Sequence, residues 1–140
     1  MLRTILGILA GIVCAMLTIT LVEMIARPLH PMPPGLLMTD TAGMAAYVST
    51  APVAMMLMVL AGWLLGAFDG ALVAALIARN RPRVAALVVG AVVVAAVIAN
   101  AVLLPHPAWM TVLGVTLPLA SAYAASVLVA RLKRRSPAFT

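Results

Sequence analysis

Four long apolar runs dominate this chain, near residues 4–26, 52–78, 84–104 and 108–131, and short polar or proline-bearing stretches separate them. Each run can cross a hydrocarbon core of about 30 Å, which takes roughly 20 helical residues. The pattern predicts an all-α fold: an integral membrane four-helix bundle in one transmembrane domain over 1–140, with an outer loop at 27–51 and a basic tail at 132–140. The first run begins directly after Met1-Leu2-Arg3, as a secretory signal would. Its 19 residues from Thr4 to Val22 exceed a usual signal core, so it reads as a retained span.

Prolines mark where these helices stop and start. RPLHPMPPG at 27–35 sets four prolines around His30, and LPHPAW at 104–109 brackets His106 between two more. Proline cannot continue a helix and pushes the preceding residue toward extended geometry, so both histidines are expected on stiff, non-helical backbone. Pro52 stands where a first-turn proline loses no hydrogen bond, with Ser49 or Thr50 as candidate caps of the second span. Pro82 within RNRPR cannot continue the second span and permits a tight turn, which makes spans two and three an antiparallel hairpin. Asp40 is placed to cap a short surface helix over TAGMAAYVS.

Composition favours lipid over water as the surroundings. Hydrophobic residues make up 66% of the chain and mean hydropathy is +1.22, far beyond water-soluble domains. A soluble fold of this length would bury only about two thirds of its surface and leave large apolar areas in water. The net charge of +6 does not indicate nucleic acid, because the arginines cluster at the ends of apolar runs and no polar domain carries a binding face. Cys14 is the only cysteine, which excludes an intramolecular disulfide, and no cofactor is implied.

The basic residues give an orientation instead. Arg3, Arg79, Arg81, Arg83, Arg131, Lys133, Arg134 and Arg135 fall at one end of the spans and belong on the cytoplasmic side. The opposite side has Arg27 alone. Both termini are therefore expected in the cytoplasm of a bacterial inner membrane, with both histidines on the outer face.

Within the spans, Gly62, Gly66 and Gly70 recur every four residues and continue as Ala74 and Ala78, and Gly7, Gly11 and Ala15 make a shorter version in span one. Small residues at this spacing let another helix backbone approach closely. Packing inside the bundle is the first expectation for this face, and a homo-oligomer or larger membrane partner the second.

Ionisable residues in a span are costly, by about 2.5–3.5 kcal/mol on insertion scales, so each calls for a partner or a purpose. Asp69 falls near mid-membrane beside Gly70. Glu23 ends span one, with Arg27 at i+4 as a local ion-pair partner. Glu23, His30, His106 and Asn100 would form a polar cluster at the outer mouth and, with Asp69, are the candidate ligand- or proton-binding residues. His30, His106 and Glu23 also match a two-histidine, one-carboxylate metal site in composition, and the methionines near the outer side (Met24, Met32, Met38, Met44, Met55, Met56, Met58 and Met110) raise copper beside zinc. Ordinary interfacial histidines and apolar filling by methionine explain the same residues. Trp109 and Tyr47 read as interfacial anchors.

The pieces LVEMIARPLHPMPPG, GWLLGAFDG and LLPHPAW together resemble a group of small bacterial four-span membrane proteins, in which a glutamate ends span one, a proline-rich segment follows and a PHP precedes span four. The resemblance spans nearly the whole chain. It implies a multi-pass membrane protein and transfers no activity. Three classes of function fit the residues. The first is binding or permeation of a ligand, ion or proton through an oligomeric bundle, using Asp69 and the outer cluster. The second is a structural or accessory membrane subunit docking through the Gly62/Gly66/Gly70 face. An enzyme or metal protein at the outer face ranks behind both, because no nucleophile or complete ligand set emerges.

Overall fold

The computed structural model describes residues 1–104 and 106–135. They form α1 (Leu2–Ala26), a 3₁₀ turn at Arg27–Leu29, α2 (Thr41–Ser49), α3 (Val53–Ile77), α4 (Pro82–Leu103) and α5 (Ala108–Arg135), with no strand among the described residues. The four long helices, α1, α3, α4 and α5, are each long and apolar enough to cross a membrane. They occupy the four apolar runs to within a few residues. Residues 132–135 of the expected tail continue α5 as helix, and residues 136–140 lie outside the described residues, as does the first proline of the PHP motif.

Local chemistry sets most boundaries. The Asp40 carboxylate accepts from the Gly43 N–H at 3.0 Å and caps α2, supplying one acceptor for the unpaired first-turn donors. Ser49 and Thr50 do not cap α3. Their hydroxyls turn back to the carbonyls of Ala46 and Tyr47 and finish α2 instead, while Pro52 itself holds the N-cap position of α3. Pro52 is extended there and reads as a helix stop that the next residue escapes. Pro82 opens α4 in its first turn, where its missing N–H costs nothing. Only residues 78–81 separate α3 from α4, so the two form a hairpin.

The bundle is organised by backbone contact between α1 and α3. They run antiparallel, with Gly7 against Ala74 and Ala78, Gly11 against Gly70, Ala15 against Gly66 and Val22 against Gly62. At each step one partner lacks a side chain or carries only a methyl. The glycine face of α3 thus packs against the chain's own α1. α3 also packs on α4 and α5, and α4 on α5, leaving α1 and α5 at the ends of the long diagonal. Ala71, Ala75, Ala86, Ala122, Ala125 and Val129 fill the α3–α4–α5 side.

Leu2 and Arg135, the first and last residues of the described helices, lie at one end of the bundle, the terminal end. There Lys133 reaches from α5 to the carbonyl of Ala75 at 3.4 Å, satisfying a last-turn acceptor of α3 that has no partner of its own helix. The opposite, distal end carries α2 and the two histidine-bearing links. Pro118 lies inside α5 and is buried; three residues on, the Ser121 hydroxyl donates across to the carbonyl of Leu64 at 2.9 Å.

A Cβ at Gly70 would overlap the carbonyl of Gly11 and stand 2.8 Å from the Ala15 methyl. Gly70→Ala is expected to cost about 1–3 kcal/mol by overpacking, seen as a lowered thermal midpoint in detergent. Leu76→Ala, at a position 45% exposed, should change stability by no more than about 0.5 kcal/mol.

Candidate functional site

In the distal half of the bundle α1 and α4 do not close fully on each other, and a cavity of about 180 Å³ opens between them and α3. α1 supplies Met16, Ile19 and Glu23, and α4 supplies Val93, Ala96, Val97 and Asn100. Steps of three and four place each set on one helix face. Trp63 of α3 forms the third wall. Nearer the terminal end Val89 fills the corresponding space, since its methyls lie at 3.0 Å from Cβ positions built on Gly11 and Gly70. Two polar groups, Glu23 and Asn100, both half-buried, therefore share an otherwise apolar chamber. Arg27 stands exposed one turn beyond Glu23, at i+4.

Trp63 owes its position to a missing side chain on α5. A Cβ on Gly114 would stand 2.6 Å from the indole ring, and Val97 closes the same slot. The indole is only 4% exposed. His106 meets it edge-on, with ring centroids 6.0 Å apart, while His106 Nδ1 lies 2.7 Å from the carbonyl of Leu104. A carbonyl only accepts, so Nδ1 carries the hydrogen and a neutral ring keeps Nε2 as its acceptor. His106 thus stands behind Trp63 without lining the cavity.

His30 is used differently. Its ring stacks on Tyr47 of α2 at 4.3 Å, its Nε2–H donates to the Tyr47 carbonyl at 3.0 Å, and the Tyr47 hydroxyl donates back to the His30 carbonyl. This reciprocal latch ties the proline-rich link to α2. The shared outer cluster expected from the sequence is therefore divided: Glu23 and Asn100 meet at the cavity, His106 touches it through Trp63, and His30 is committed to the latch. The proposed metal set of His30, His106 and Glu23 is corrected accordingly, since among the described residues no three histidine, cysteine or acidic side chains are grouped to hold a metal ion.

Asp69 also lies outside the cavity lining. Six residues on from Trp63, it projects about 120° away around α3. Thr18 of α1 donates to its carboxylate at 3.4 Å across the α1–α3 seam, and the side chain is half-buried. It occupies the flank of the seam remote from α4.

Trp63 and Met16 are the site residues that sequence reasoning missed. The available signal was position: Trp63 lies ten residues into α3, about 15 Å from its start, too deep for an interfacial anchor. Comparison of the chain with protein-family models, curated proteins and solved structures returns no match.

Removing the hydroxyl in Tyr47→Phe deletes one arm of the latch, worth about 1 kcal/mol. Amide exchange over residues 41–49 is expected to accelerate severalfold, while α3 and α4 stay protected.

Proposed function

We propose that this protein is a small polytopic protein of the bacterial inner membrane that binds a small ligand, ion or proton in the Glu23–Asn100 cavity and, as a homo-oligomer, provides for its passage. The observation that carries the reading is the cavity itself. A half-buried carboxylate and a half-buried amide face a half-open pocket in a bundle whose remaining surface suits lipid, and such groups are expensive there unless they serve a ligand or each other. Arg3, Arg79, Arg81, Arg83 and the basic end of α5 support placing the terminal end in the cytoplasm, which puts the cavity in the outer half of the membrane.

A second reading, a structural or accessory subunit, is favoured by Asp69. A half-buried carboxylate on the flank of the α1–α3 seam, with α1 residues such as Leu17 and Leu21 exposed beside it, suits a helix from another subunit better than lipid. The docking surface would then be this flank and not the glycine face.

With Cys14 replaced by alanine, Asp40→Cys should react with an impermeant thiol reagent applied to intact cells, and Arg135→Cys only after permeabilisation; the reverse pattern contradicts the orientation. Glu23→Gln should abolish proton or cation flux into proteoliposomes with assembly unchanged. Loss of assembly in Asp69→Asn, with no flux in the parent, supports the subunit reading.

A further inference from the structure

The chemistry of the cavity walls narrows the ligand. We propose that the Glu23–Asn100–Trp63 cavity takes a small organic monocation, an alkylated ammonium whose charge is carried by an apolar hull; this rests on reading the cavity as the binding site. Four features point to this class. Glu23 supplies the negative charge, so an anion is disfavoured. Magnesium and calcium take about six or more oxygen ligands and zinc about four ligands, and one carboxylate with one amide oxygen falls short of either. The remaining walls, Met16, Ile19, Val93 and a small uncovered part of the Trp63 indole, are apolar and polarisable, matching methyl or methylene groups.

The fourth feature is the direction of the helices. α1 and α4 both end beside the cavity, Glu23 one turn before the end of α1 and Asn100 one turn before the end of α4. Helix C-termini carry partial negative charge, and two of them add to the Glu23 carboxylate. α3 enters from its N-terminal side, but its wall residue Trp63 lies ten residues in, beyond the range of that opposing dipole.

Size agrees with the chemistry. The pocket is open on one side, and its volume of about 180 Å³ is comparable with the roughly 150 Å³ that holds benzene, so it seats a ligand of roughly six to eight heavy atoms with one side left uncovered. Arg27, exposed at i+4 from Glu23, is the built-in competitor for the carboxylate.

The test uses the full chain in lipid nanodiscs, titrated calorimetrically with choline and with 3,3-dimethylbutan-1-ol, its neutral carbon isostere. Choline is expected to bind about tenfold or more tightly than the alcohol. Glu23→Gln should weaken choline by about tenfold and leave the alcohol unchanged, and Trp63→Leu should weaken choline by about threefold or more. Arg27→Gln, which leaves the cavity walls intact, should strengthen choline and so keeps the test valid should Trp63→Leu misfold. Equal binding of choline and the alcohol, or indifference of choline to Glu23→Gln, overturns the cation assignment while the cavity stands as a binding site. No heat from either compound overturns both.

Discussion

The contact between the backbones of Gly11 and Gly70 is the constraint on which the rest of the bundle depends. A Cβ on either glycine would overlap the carbonyl of the other, so α1 and α3 pack backbone against backbone, and dispersion contact along the seam holds them together. Because α1 is drawn onto α3, its second flank meets α4 less completely. Near the terminal end Val89 makes up the difference. In the distal half α4 offers Ala96 and Asn100, which do not, and the cavity is the result.

The same seam explains where the polar residues go. Glu23 leaves α1 on the α4 side and meets the half-open pocket, while Thr18 faces the other flank and reaches Asp69. Two acidic side chains thus lie on opposite sides of one helix pair, in different surroundings. The distal links add stiffness around the cavity's end. His30 and Tyr47 lock the proline-rich segment to α2, and His106 braces the indole of Trp63.

The helices themselves were legible in the sequence, because long apolar runs and prolines act locally and leave little choice of element. Asp40 as the cap of α2 was legible for the same reason. The glycine spacing announced a close helix contact but not its partner, which depends on how four helices share their faces; only the assembled bundle puts Gly11 against Gly70. The cavity was legible in part. Glu23 and Asn100 stood out as polar residues near span ends, whereas Trp63 read as one more apolar residue because its placement depends on the absent side chain of Gly114, some fifty residues away. His30 misled for a physical reason: proline stiffening shows that a histidine is held, and not what it is held against.

The central claim is that seam packing leaves a ligand-accessible chamber between α1 and α4. Its most direct test is the reactivity of single cysteines on α4 toward a small water-soluble cationic thiol reagent, with Cys14 replaced by alanine and the protein in bilayers. Ala96→Cys, on the cavity wall, should react readily, and Ile98→Cys, 47% exposed on the outer surface of the bundle, should be shielded by lipid. Equal protection at both positions, or faster reaction at position 98, would contradict the account.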